Sequence, residues 1–120
     1  MKLKYFDFCK RLSLKSNHHQ HKLGACIVKK NKIIGFGYNV DKTHTKSPHK
    51  YKRLHAEVAS ILGLPYEELR GSTIYVYRET KSGDLALARP CASCYEMIKL
   101  VGIKYICYSS IDGYKKEEVI

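Results

Sequence analysis

The chain reads as an α/β fold, a mixed sheet covered by helices in the order α-β-β-α-β-α-β-β. Three observations carry this reading. Apolar residues recur at helical spacing in three separate segments; between them lie short runs dense in β-branched and aromatic residues; and two turn signals, Lys29-Lys30-Asn31-Lys32 and Asp112-Gly113, mark hairpins.

Residues 3–16 place Tyr5, Phe8, Cys9 and Leu12 on one stripe with Lys4, Lys10, Arg11 and Lys15 between them, which predicts an amphipathic first helix lying on the sheet. Asn17-His18-His19-Gln20-His21 is a polar linker, read as a solvated loop because no cysteine nearby completes a metal set. From Leu23 to Tyr38, two apolar runs flank a polar turn and predict a β-hairpin, with Gly35 and Gly37 suited to a bulge or a close backbone approach. Leu54, Val58, Ile61 and Leu62 return to helical spacing, and Gly63 is the natural stop. His55 and Glu57 thus fall in the first turn of the second helix.

After the turn-like Leu64-Pro65-Tyr66, the run Thr73-Ile74-Tyr75-Val76-Tyr77 predicts a third strand. A loop through Lys81-Ser82-Gly83-Asp84 leads to Arg89-Pro90. Cys94, Met97, Ile98 and Val101 then share a helical face ending at Gly102, which puts Cys91 and Cys94 at the N-terminus of the third helix. Ile103 to Ser109 is the fourth strand, and Asp112-Gly113 turns the chain into an antiparallel fifth.

At 120 residues the chain is read as one domain, 1–120, with room for a single core. It is 44% hydrophobic, with no run long enough to cross a membrane and no repeat or low-complexity tract. The charged start, Met1-Lys2-Leu3-Lys4, lacks the apolar stretch of a signal peptide, so a reducing, cytoplasmic setting is expected. Of five cysteines, Cys9, Cys26 and Cys107 sit in apolar segments and read as small buried hydrophobes. The formal net charge of +11, from 22 Lys+Arg against 11 Asp+Glu, favours a phosphorylated or polyanionic partner. Segment 42–53 concentrates this charge, with five cations, two histidines and no acid.

The remaining chemistry lies in a split constellation, His55-Ala56-Glu57 and then Pro90-Cys91-Ala92-Ser93-Cys94. Two thiolates and an imidazole form the donor set of an open catalytic zinc site, in which a water occupies the fourth position. A structural zinc calls for four protein ligands, and it would leave Glu57 idle; so would a redox role for Cys91 and Cys94. A carboxylate two residues from the imidazole is suited instead to moving protons for a metal-activated water, and these parts fit hydrolysis at an amidine-like carbon.

These residues resemble the signature of the zinc-dependent cytidine/deoxycytidylate deaminase superfamily. The likeness extends to Gly24-Ala25-Cys26-Ile27-Val28, to Gly37-Tyr38-Asn39 and to Gly102-Ile103-Lys104-Tyr105-Ile106. It implies a cytidine deaminase-like three-layer sandwich with a mixed five-stranded sheet. It also implies Zn2+ as cofactor on His55, Cys91 and Cys94, Glu57 as proton shuttle, Asn39 as a partner of the sugar, and the Ala56 backbone as a contact to the base. Asn at a strand end is also a common turn former, so Asn39 carries both readings.

The expected reaction is deamination of a cytosine nucleoside or nucleotide, and the terminal hairpin resembles the free-nucleoside branch of the superfamily. The basic segment leaves a polynucleotide deaminase open as the alternative, with Lys50, Lys52, Arg53 and Arg89 as candidate phosphate or nucleic-acid contacts and Phe36, Tyr38 and Tyr51 as candidate base-stacking residues. A deaminase of another amino-bearing base and a non-catalytic zinc module that binds nucleic acid complete the alternatives. Relatives of this size commonly associate, which implies a homo-oligomer.

Overall fold

The computed structural model describes residues 1–16, 22–39 and 55–120. Its order is α1 (Leu3–Ser13), β1 (Lys22–Lys29), β2 (Lys32–Tyr38), α2 (Ala56–Ile61), α3 (Tyr66–Leu69), β3 (Thr73–Glu79), α4 (Ala92–Leu100), β4 (Tyr105–Ser110) and β5 (Gly113–Glu118). The five strands form one sheet in the order β2-β1-β3-β4-β5. β1 is antiparallel to both neighbours, β3 and β4 are parallel, and β5 is antiparallel to β4. The sheet is therefore mixed, as expected, and the fifth strand has the expected direction.

Alternation along the strands builds two cores. Ala25 and Ile27 of β1, Ile74 and Val76 of β3 and Ile106 of β4 join Ala56, Ile61, Leu69 and Ile98 from the other helices. Their neighbours Cys26, Val28, Tyr75, Tyr77 and Cys107 face α1 through Tyr5, Phe6 and Cys9. The period of two thus sends successive side chains to opposite faces, and helices cover both. Three layers result.

The stripe of α1 differs from the expectation at one position. Phe6, not Phe8, is the buried aromatic: it stacks on Tyr114 with ring centroids 4.0 Å apart and meets the Tyr75 ring edge-on at 5.1 Å. Phe8 lies half-buried beside Phe36 and below the Arg11 guanidinium. The helix also stops at Ser13, where the side-chain hydroxyl donates to the Lys10 carbonyl at 2.6 Å and the chain leaves in a looser turn. Cys9, Cys26 and Cys107 are fully buried, as expected; the Cys9 and Cys26 sulfurs lie 3.5 Å apart, and burial pushes the Cys9 and Cys107 thiols up.

A further departure is α3, a single turn where the sequence suggests only a bend. Pro65 precedes it, Glu67 and Glu68 occupy its first turn, favourable to the helix dipole, and Leu69 anchors it in the core. The β1–β2 hairpin closes on Lys30 and Asn31, both at positive φ (51° and 63°), the geometry of a type I′ turn. β3 runs two residues beyond the expected Tyr77, and β4 starts at Tyr105 rather than Ile103. The linker histidines His18, His19 and His21 and the basic segment 42–53 lie outside the described residues. Among the described residues, no helix is long and apolar enough to cross a membrane.

Two glycines set the helix-to-sheet distance. A Cβ on Gly24 would run into the Cys9 carbonyl oxygen of α1, and one on Gly37 would lie 2.6 Å from the Ala59 Cβ and 2.7 Å from the Ser60 nitrogen of α2. Gly24→Ala is expected to cost about 1–3 kcal/mol or more, because α1 must back away from a close-packed face. Urea unfolding checks this. An unchanged midpoint would mean that α1 is not held at this distance.

Candidate active site

The strand directions determine where the site forms. β2, β3 and β4 all run the same way, so their C-terminal ends lie along one edge of the sheet. In α/β sheets that edge is the usual place for ligands. α2 follows β2 and α4 follows β3, so both helices start at this edge. His55 is the N-cap of α2 and Cys91 the N-cap of α4, each in an extended conformation that turns the chain into the helix. Glu57 falls in the first turn of α2 and Cys94 in the first turn of α4.

The two helix starts meet. The His55 Nδ1 lies 3.3 Å from the Cys94 Sγ and 4.0 Å from the Cys91 Sγ, and the three donor atoms all fall within 4.8 Å of one another. A tetrahedral zinc with bonds of about 2.3 Å to sulfur and about 2.0–2.1 Å to nitrogen separates its donors by roughly 3.5–3.8 Å. The two sulfur–imidazole separations bracket that range, and the three donors could close on one ion with small side-chain adjustments. His55 and Cys91 are exposed and Cys94 is buried, so the group is open on one side.

Electrostatics point the same way. Glu57 is 4% exposed, and burial raises its carboxyl pKa, while its own backbone N–H, the His55 charge and the Cys94 thiol pull in the opposite direction. Burial also pushes the Cys94 thiol up, reinforced by the Glu57 and Cys91 charges. Cys91 behaves differently. Burial acts upward on it, but the Ser93 hydroxyl, 3.3 Å from its sulfur, together with the Cys94 backbone N–H and thiol, leaves its pKa lowered. Two thiols and a buried carboxylate thus converge on one imidazole, an acceptor-rich pocket whose chemistry suits a dication.

The other expected site residues are distributed unevenly. Ala56 is fully buried between His55 and Glu57. Asn39 follows β2 at the same edge, and its side-chain oxygen accepts the Leu23 N–H at 2.9 Å while its own N–H donates to the Leu23 carbonyl at 3.3 Å. It therefore ties the end of β2 to β1. Arg89 is paired: its Nε donates to the Glu117 carboxylate at 2.8 Å, and its guanidinium stands 5.5 Å over the Tyr95 ring. Phe36 is exposed and packs edge-on toward Phe8 of α1. Tyr38 is half-buried; Lys50, Tyr51, Lys52 and Arg53 lie outside the described residues. The Ser93 contact to Cys91 escaped the sequence reading, although Ser93 stands inside the motif itself.

Residues 1–110 match the family described as the cytidine and deoxycytidylate deaminase zinc-binding region. The chain belongs to this family. Deoxycytidylate deaminase from Mus musculus is 30% identical over 122 residues, covering 87% of this chain and 61% of that protein. The Mycobacterium phage D29 deoxycytidylate deaminase is 25% identical over 115 residues, covering 78% of this chain and 82% of its own length. Among solved structures, the dCMP deaminase from the cyanophage S-TIM5 in apo form superposes with a TM-score of 0.68 at 25% identity, covering 90% of this chain and 84% of that one. The chain thus spans about three fifths of the mouse relative's length. The fold is that of the cytidine deaminase-like α/β sandwiches, and the His55, Cys91 and Cys94 cluster is compatible with the zinc for which the family is described.

Proposed function

We propose that residues 1–120 form a single zinc-dependent deaminase domain that hydrolyses the exocyclic amine of a cytosine nucleotide, with deoxycytidylate as substrate and the uracil nucleotide and ammonia as products. The observation that carries this reading is the convergence of His55 Nδ1, Cys91 Sγ and Cys94 Sγ within 4.8 Å, beside the buried Glu57. His55, Cys91 and Cys94 would hold the ion. Zinc bound there supplies Lewis-acid activation of water at neutral pH.

The chain's own groups supply the rest. Glu57 accepts one proton from the attacking water and delivers it to the ring nitrogen, then takes the second from the new C4 hydroxyl and delivers it to the amine, which leaves as ammonia, so one carboxylate serves as base and acid in turn. Its seat in the first turn of α2, apolar enough to favour the protonated form, suits the acid half of that cycle. The Ala56 backbone, between ligand and shuttle, would line the place for the base, and Asn39 stands at the same edge, where the sugar would lie. The basic segment with Lys50, Lys52 and Arg53 would bind the 5′-phosphate, a role favoured by the net charge of +11. Arg89, already paired with Glu117, would be a secondary contact. The name shared by the mouse and phage relatives favours the nucleotide over the free nucleoside. The same reading assigns the enzyme to the cytoplasm, where thiolate ligands stay reduced, and to a homo-oligomer.

The test is a product assay on zinc-loaded protein with dCMP, deoxycytidine, cytidine and a cytosine-containing oligonucleotide, with Glu57→Ala as blank. Ammonia release is expected from dCMP, with kcat/KM at least tenfold above deoxycytidine. Product from the oligonucleotide alone would select the polynucleotide alternative, and no product from any of the four would sink the cytosine deaminase reading.

A further inference from the structure

Cys91 stands at a junction: it caps α4 but arrives on the segment 85–90, so its position depends on what holds that segment. The hydrogen bonds of this stretch go to two residues, Arg78 of β3 and Ser109 of β4, and the Ser109 hydroxyl joins all three segments. Ser109, in β4, is fully buried. Its hydroxyl donates to the Ala86 carbonyl at 2.8 Å and accepts the Arg78 N–H at 3.0 Å, with the Arg78 carbonyl at 3.3 Å as a longer alternative acceptor. Its backbone carbonyl takes the Ala88 N–H at 2.9 Å.

The geometry explains why a side chain is needed here. The β3–β4 ladder runs only to the pair Val76 and Tyr108. Beyond it the two strands part, and segment 85–88 runs in beside them: Ala86 N–H donates to the Arg78 carbonyl at 3.0 Å, and Arg78 Nη1 to the Leu87 carbonyl at 3.2 Å. The Ser109 hydroxyl takes over where the backbone ladder ends and ties β3, β4 and the incoming segment together. Ala86, Ala88 and Pro90 are buried, so this tie is shielded from water. Cys94, by contrast, rides on α4 and is fixed by its helix.

We propose that Ser109 is a positioning residue for the metal site, fixing the segment that delivers Cys91 to His55 and Cys94. This rests on the reading of those three residues as a zinc site. A group hydrogen-bonded directly to a metal ligand typically contributes about 10–100-fold in metal affinity; Ser109 acts one segment removed, and Ser109→Ala is expected to weaken zinc binding by about tenfold, the lower end of that range. Ser72→Ala serves as the control, because Ser72 is an equally buried hydroxyl that donates to the Leu69 carbonyl at 2.6 Å and does not touch segment 85–90.

The measurement is competition for zinc against a chromophoric chelator, paired with the melting temperature of each metal-free protein. Ser72→Ala should melt lower but hold zinc within threefold of the parent; Ser109→Ala should lose about tenfold in affinity, and Ser109→Thr, which restores a hydroxyl, should recover part of it. Zinc affinity of Ser109→Ala within threefold of the parent overturns the proposal, as does an equal loss in both alanine variants. Should Ser109→Ala not fold, Ser109→Cys, with a poorer donor of similar shape, takes its place under the same criteria. A parent protein that binds no zinc would overturn the metal reading itself, an outcome distinct from a parent that binds and a variant that binds equally well.

Discussion

Glu57→Gln is expected to leave a folded, metal-loaded protein that turns over about 10²–10⁴-fold more slowly, the range for losing a positioned general acid–base and equivalent to roughly 3–5 kcal/mol of barrier. The amide keeps the shape of the carboxylate but cannot carry the proton. Folding should hardly change, because Glu57 sits in a site whose burial already disfavours the charged form, and the Ser60 hydroxyl contacts only its backbone carbonyl at 2.7 Å. Three readouts decide the matter: zinc content, urea midpoint and kcat on dCMP. A variant keeping more than a tenth of parental kcat would show that the proton travels by another group.

Cys94→Ser is expected to abolish stoichiometric zinc binding and, with it, activity. Cys94 is the buried donor of the set and the one nearest the imidazole. Serine keeps the volume but offers a hydroxyl in place of a soft thiolate. A ligand present at a thousandfold its dissociation constant stabilises the folded state by about 4 kcal/mol. The parent should therefore melt several degrees lower after chelation, and Cys94→Ser should melt at the same temperature with or without zinc. A chelator-insensitive parent would contradict the assignment of the three ligands.

The parts of the site that can be read from the sequence are those whose residue type is dictated by chemistry. His55, Glu57, Cys91 and Cys94 stand out as candidates because few other side chains can hold zinc or carry protons beside it, and their places follow from the helix-start patterns around them. The parts that escape depend on partners remote in sequence. Phe6 and Phe8 both border the apolar stripe of α1; only Tyr75 and Tyr114, contributed by β3 and β5, decide that Phe6 goes in. Arg89 reads as a candidate phosphate contact, and its pairing with Glu117 on the last strand is visible only in the fold. A one-turn helix such as α3 is too short to show a period, so Leu64-Pro65-Tyr66 reads as a bend. Asn39 carries two readings in sequence, and only the Leu23 N–H at 2.9 Å shows where its oxygen is engaged.

The split origin of the ligands sets an order of events during folding. Cys94 is placed when α4 forms, and Cys91, at its N-cap, is placed once segment 85–90 is also seated, but two thiols are an incomplete cage. The imidazole arrives only when α2 has docked on the Gly35 and Gly37 surface of β2 and β3 has paired with β4, which are contacts between distant stretches of chain and thus slow to form. If His55, Cys91 and Cys94 hold zinc as proposed, full metal capture is expected to be a late step, and the rate of zinc uptake by refolding protein would measure when the two halves of the chain have met.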